Sequence, residues 1–85
     1  MKIRVRYFAS IREAVGISEE SIILPDRVKT LDDLRGYLMD RGTIWREALA
    51  EGNSLRMACQ LKMAAPDTLL TEGCEVAFFP PVTGG

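Results

Sequence analysis

Hydrophobic and polar residues alternate strictly at the start of the chain. Ile3, Val5, Tyr7 and Ala9 fall on one side of an extended backbone and Lys2, Arg4, Arg6 and Phe8 on the other, so residues 2–9 predict a half-buried strand. Ser10-Ile11-Arg12-Glu13 fits a capping box and opens a short helix of about two turns that Gly16 can close. Residues 20–24 are rich in β-formers and stop at Pro25, which predicts a second strand reached by a connection longer than a tight hairpin. Thr30 can cap the next helix, with Asp32 and Asp33 facing its N-terminal dipole and Gly42 beyond its end. Within it Leu31, Leu34 and Leu38 share one face, extended by Tyr37, and that stripe should pack on the sheet. Ile44, Trp45, Ala48 and Leu49 predict a further short helix before a Gly52-Asn53 turn, with Trp45 as a lid on the core.

The alternation returns at residues 55–63, where Leu55, Met57, Cys59, Leu61 and Met63 oppose Arg56, Ala58, Gln60 and Lys62 in what reads as one strand. On that reading Cys59 is an inert small hydrophobe of the apolar face. After a loop with Pro66 and Asp67, the Glu72-Gly73 turn leads into a last strand over residues 74–79. Cys74, Val76 and Phe78 lie on one face of it and Glu75, Ala77 and Phe79 on the other. Parity therefore leaves Phe79 exposed, and an exposed aromatic beside a chain terminus marks a binding surface. The element order predicts an α+β domain in which the main helix crosses one face of a mixed sheet. The first and last strands, both strongly apolar, should run parallel at its centre, a β-grasp arrangement. The domain spans residues 1–79 and an extended tail residues 80–85.

That tail reads Pro80-Pro81-Val82-Thr83-Gly84-Gly85. The prolines lack N–H donors and fix φ, so they end strand pairing and hold the remaining residues away from the body. Two glycines without side chains let the last peptide units and the α-carboxylate pass down a channel too narrow for any other residue. The bland alternative is that the chain merely stops there, since a Gly-Gly end arises by chance in about one chain in 200.

Composition narrows the chemistry. Eighty-five residues make one domain with no room for a separate catalytic one. A net charge of −1 without runs of like charge argues against nucleic acid, and the Lys2, Arg4 and Arg6 stripe is answered by Glu13, Glu19 and Glu20. The chain has no histidine, and Cys59 and Cys74 lack the spacing of a metal knuckle, so no metal site and no Cys-His or Ser-His catalysis is expected. No apolar run approaches a membrane span and no signal peptide is evident, so the expected location is the cytoplasm, with both thiols reduced.

Three stretches carry a resemblance: Phe8-Ala9-Ser10-Ile11-Arg12-Glu13, then Leu69-Leu70-Thr71-Glu72-Gly73-Cys74-Glu75-Val76, and Ala77-Phe78-Phe79-Pro80-Pro81-Val82-Thr83-Gly84-Gly85. With these the chain resembles the ubiquitin-like sulfur carriers that form the small subunit of molybdopterin synthase. The family usually has Asp where this chain has Cys74, and often Asn where it has Gln60; neither departure touches the tail. The resemblance implies a protein that is not an enzyme by itself and binds no cofactor. An ATP-dependent activating enzyme of the ubiquitin-activating type would adenylate Gly85, and the adenylate would become a thiocarboxylate. The tail, Pro80, Pro81, Val82, Thr83 and Gly84, would then enter the large synthase subunit and give sulfur to a cyclic pyranopterin precursor, building the molybdopterin dithiolene. Two large and two small subunits would form a heterotetramer. The partner-facing surface would include Phe79, with Met63 and Arg12 as further candidates.

Other carriers fit Gly-Gly as well, including those for thiamin thiazole and tRNA thiolation. A ubiquitin-like modifier would pass the same adenylate to a lysine amine. In a non-catalytic interaction module the ending would be incidental.

Overall fold

The computed structural model describes residues 1–50 and 55–81. Their elements run β1 (Lys2–Tyr7), α1 (Ala9–Val15), β2 (Glu19–Ile23), α2 (Leu31–Met39), α3 (Thr43–Ala48), β3 (Arg56–Cys59), β4 (Lys62–Met63) and β5 (Glu75–Phe79). The strands form one sheet in the order β2-β1-β5-β3-β4. β1 and β5 pair in parallel at its centre, while β1–β2, β3–β5 and β3–β4 are antiparallel. This is the β-grasp arrangement expected from the element order.

The predicted alternation places Ile3, Val5 and Tyr7 of β1 and Val76 and Phe78 of β5 in the core, where they meet the Leu31, Leu34 and Leu38 stripe of α2. Tyr37 packs at its edge. Thr30 caps α2 as expected, and the cap is reciprocal. Its hydroxyl accepts from the Asp33 N–H at 3.1 Å, while the Asp33 carboxylate accepts from the N–H groups of Thr30 at 3.2 Å and Lys29 at 3.0 Å. These backbone bonds hold the Asp33 carboxyl below its usual range. The terminator of α2 is Asp40, whose N–H returns to the Gly36 carbonyl, and Gly42 instead caps the start of α3. Leu49, at the far end of α3, is buried, and the buried Arg35 of α2 donates from Nε to its carbonyl at 2.6 Å, tying the two helices together. The expected Gly52-Asn53 turn lies outside the described residues.

Four expectations need correction. β1 stops at Tyr7 instead of Ala9, because the backbone turns at Ala9 (φ +49°) and α1 begins there. The Ser10–Glu13 capping box consequently does not form: Ser10 is already inside the helix, and Phe8 is the N-cap, without a side-chain bond. The Phe8 carbonyl itself takes the N–H groups of Ile11 at 3.1 Å and Arg12 at 3.3 Å, so the orphan donors are satisfied by backbone. Gly16 closes α1 as predicted, at φ +82°, with its N–H on the Arg12 carbonyl at 2.9 Å. β2 is shifted one residue earlier than expected, and Leu24 instead donates to the Met1 carbonyl at 2.7 Å.

The fourth correction concerns residues 55–63. They form a hairpin, β3–turn–β4, and not one strand. Gln60 and Leu61 both have positive φ, +52° and +68°, the pattern of a primed two-residue turn. Gln60 also bridges to β5: its N–H reaches the Glu75 carbonyl at 2.9 Å, and its side-chain Oε1 accepts the Glu75 N–H at 2.8 Å. Those two bonds hold a left-handed backbone that neither residue type favours.

A partly polar cluster ties the helices to the sheet. The buried Tyr7 hydroxyl donates to Glu20 at 2.7 Å, and Arg41 grips the same carboxylate with two bonds at 2.7 and 3.0 Å. The Arg41 guanidinium lies 4.6 Å above the Trp45 ring, which meets the Tyr7 ring edge-on at 5.4 Å. Trp45 is thus the half-buried lid that the sequence suggests. Burial first, then the bond to Glu20, pushes the Tyr7 hydroxyl well above its ordinary range, so it remains a donor. For Glu20 burial acts to raise the pKa, but the bonds from Arg41 and Tyr7 outweigh it and the net shift is downward.

Two outcomes are expected from these geometries. Leu61 is 87% exposed, so Leu61→Gly loses little packing while relieving the left-handed strain, and should raise the urea midpoint by an amount equivalent to about 1 kcal/mol. The folded pKa of Glu20 lies below its unfolded value, so the charge contributes stability above the ordinary glutamate pKa and loses it as pH falls through the folded one. Glu20→Gln should therefore be less stable than the parent at pH 7, with the gap narrowing in acid, as read from denaturation midpoints across pH.

Candidate functional site: the tail root and the open sheet face

α2 and the core lie against one face of the sheet. Strand alternation puts Arg4 and Arg6 of β1, Glu75, Ala77 and Phe79 of β5, and Arg56 and Ala58 of β3 on the other. The register aligns these residues across strands: Arg6 opposes Ala77, Ala77 opposes Ala58, and Ala58 opposes Met63. One step further along β5, Phe79 opposes Arg56. On its other side Phe8 succeeds the Tyr7–Phe78 pair and donates its N–H to the Phe78 carbonyl at 3.1 Å. Phe8, Ala58, Met63, Ala77 and Phe79 therefore make a continuous apolar strip, bordered by Arg6 and Arg56. The Arg6 guanidinium sits 5.1 Å over the Phe8 ring, a contact that keeps the charge solvated and the ring in place.

Two of the residues predicted for a partner surface belong to this strip. Phe79 is half-buried where an exposed residue was expected, because it is flanked by strands on both sides and not on an edge. Met63 is 64% exposed. It reaches this face only through the hairpin: an unbroken strand would have placed it with Met57 and Cys59, and the two-residue turn sets it opposite Ala58 instead. Arg12 is carried by α1 as an exposed residue and takes no part in the strand register. The residue that sequence reasoning missed as a site is Phe8. Its parity with Arg4 and Arg6 was visible, but its position beside Phe79 depends on the parallel pairing.

The basic stripe of β1 is answered less fully than expected. Arg6 approaches Glu19 at 3.9 Å, a long and half-exposed pair of small worth, while Glu20 is engaged by Arg41 and Tyr7.

β5 ends at Phe79, and Pro80 and Pro81 come next, outside any strand. Pro80 thus leaves from the strand at the middle of the sheet, next to the apolar strip. Val82, Thr83, Gly84 and Gly85 lie outside the described residues.

The cysteines do not form a reactive centre. Cys74 is buried on the core face with Val76 and Phe78, and Cys59 is half-buried against the core. Burial first, and then the adjoining Cys74, pushes the Cys59 thiol up. Among the described residues no group of histidine, cysteine or carboxylate side chains could hold a metal ion. No helix among them is long and apolar enough to cross a membrane.

This arrangement, a β-grasp body with a tail leaving its central strand beside an apolar strip, is that of a ubiquitin-like carrier. The family model described as the ThiS family matches residues 5–85, and the chain belongs to that family. It is 39% identical over 83 residues to the molybdopterin synthase sulfur carrier subunit of Escherichia coli, covering 98% of this chain and 99% of that one. The subunit of the same name from Haemophilus influenzae is 36% identical with the same coverage. Among solved structures, the chain matches the complex of subunits 1 and 2 of the molybdopterin-converting factor from Helicobacter pylori, with a TM-score of 0.65, 26% identity and full coverage of both chains.

A raised thiol pKa lowers the thiolate fraction at neutral pH, so alkylation of Cys59 should be slower in the folded chain than in the urea-unfolded one and accelerate as pH rises. Cys74 should resist the reagent until the domain unfolds. Peptide mass mapping after timed exposure to iodoacetamide checks both.

Proposed function

We propose that this chain is the sulfur carrier of molybdenum cofactor biosynthesis, and that its reactive atom is the α-carboxyl carbon of Gly85. The observation that carries the reading is the tail root: Pro80 and Pro81 leave the central parallel strand beside the Phe8–Phe79 strip and lead into a sequence that ends in Gly-Gly. Near-full-length identity to two sulfur carrier subunits supports the choice of product.

A carboxylate is a poor electrophile. Attack of its oxygen on the α-phosphorus of ATP releases pyrophosphate and forms an acyl-adenylate, in which AMP is a good leaving group. Hydrosulfide from the sulfur donor then adds to the carbonyl carbon, the C–O bond to AMP breaks, and loss of the S–H proton to solvent leaves the thiocarboxylate. The activating enzyme and the large synthase subunit supply the catalytic groups for loading and delivery. This chain supplies the terminal atom, a tail narrow enough to be threaded, and a rigid body from which the tail departs. The same apolar strip serves both partners, so the two complexes exclude each other. The carrier works in the cytoplasm with reduced thiols, and two copies join a dimer of large subunits.

The test is intact-mass measurement after incubation with ATP, a sulfur donor and the activating enzyme. The expected product is an oxygen-for-sulfur exchange at Gly85. Deleting Gly85 should abolish that product with the melting temperature unchanged, since the described core contains no tail residue. Persistent absence of the exchange under conditions that load an established carrier refutes the reading.

A further inference from the structure

On the helix side of the tail root lies a groove separate from the strip on the open sheet face. α1 packs against α3 and β5, yet between α1 and α3 the surface sinks into a hollow of about 470 Å³. Ile11 and Ala14 of α1, Ile44 and Ala48 of α3, Leu55 and Pro80 line it. The hollow exists because Ala14 and Ala48 end at Cβ where longer side chains would have closed it. Its volume is far above the ~30 Å³ share of one water molecule, and Ile44 is left 59% exposed. The adjoining corner is strained: Ala9 holds φ +49° between Phe8 of the open-face strip and Ser10, which also lines the hollow. Non-glycine residues in that region persist where the surrounding structure imposes them, and such strain gathers at binding sites.

We propose that this groove is a second docking surface of the carrier, occupied by apolar side chains from the rim of the large synthase subunit. The inference rests on the carrier reading and adds to it. A protein that draws residues 82–85 into its active site must bring the mouth of that site against the residues from which the tail departs. Pro80 is one of them, and Pro80 lines the groove. A body seated on the tail root meets the strip on the sheet side first, and reaches the groove on the helix side when its interface is large. Lifetime decides between the partners: a stable synthase needs a large apolar interface, while a loading encounter that must dissociate is served by a smaller one. The strip is common to both partners and the groove belongs to the synthase.

The experiment titrates the full-length chain against the large subunit by calorimetry and measures thiocarboxylate formation with the activating enzyme by intact mass. Ala48→Arg fills the groove, and Ile44→Ser removes an exposed wall without touching the core. Both variants should bind the large subunit at least about tenfold more weakly while loading proceeds within about twofold of the parent rate. Variants that melt like the parent and bind like it overturn the inference, as does an equal loss of loading. If Ala48→Arg fails to fold, Ile44→Ser decides alone. A chain ending at residue 81 tests the tail as rival occupant: if this truncation and Ala48→Arg lower the melting temperature equally and not additively, the groove holds the chain's own tail and the proposal falls. A parent chain that neither loads nor binds overturns the carrier reading and this inference with it. A parent that does both while the groove variants match it overturns the inference alone.

Discussion

The pairing of β1 with β5 joins the two ends of the chain in parallel at the centre of the sheet, and the other elements are arranged around that contact. Its bonds include the Arg4 N–H to the Cys74 carbonyl at 3.0 Å and the Phe8 N–H to the Phe78 carbonyl at 3.1 Å, while the Tyr7 ring stacks on Phe78 with centroids 6.2 Å apart. Parallel neighbours cannot be joined by a tight turn. Here the crossover is nearly the whole chain, so closing it is entropically the most expensive step of the fold and must be offset by burial on the helix side. The core residues Val5, Tyr7, Val76 and Phe78, all but inaccessible to solvent, supply that burial together with the leucine stripe of α2. A tail that departs from β5 is therefore anchored in the most constrained part of the molecule.

The helical layer is held in register with this centre by a mixture of apolar and polar contacts. Tyr7 serves both: its ring belongs to the core, and its hydroxyl engages the Glu20 carboxylate that Arg41 also grips. Through Arg41 and Trp45 the short helix α3 is fixed against β1, and through Arg35 it is fastened to α2. These bonds satisfy the polar atoms that burial would otherwise penalise, and they place α3 where, with α1, it frames the hollow beside Pro80. Packing of the core and the shape of the tail root are thus set by the same residues.

The two sheet faces divide the work. One is consumed by folding. The other carries an apolar strip edged by arginines, a composition suited to a surface that is covered in a complex and wet in isolation. Cys74 and Cys59 go with the folding face, which explains why two thiols in so small a domain need not contribute reactivity to a sulfur carrier.

How much of this could be read without coordinates is visible residue by residue. Period-2 and period-3.6 patterns identified β1, β5, α2 and the Leu31, Leu34 and Leu38 stripe because burial on one face leaves a direct mark on composition. The caps at Thr30 and Gly16 were legible because each satisfies a local geometric need. The β3–β4 hairpin escaped because Gln60 and Leu61 are not turn formers: their left-handed backbone is held by bonds to Glu75, fifteen residues from Gln60. The Ser10 capping box failed for a similar reason, the Phe8 carbonyl having satisfied the donors first. Phe8 beside Phe79, Met63 on their face, and the hollow between Ala14 and Ala48 are products of strand register and helix placement, which join residues far apart in the chain. Local sequence determined which segments would fold and which side of each would be buried; only the tertiary structure decided which side chains would meet around the root of the tail, because those meetings are fixed by long-range pairing.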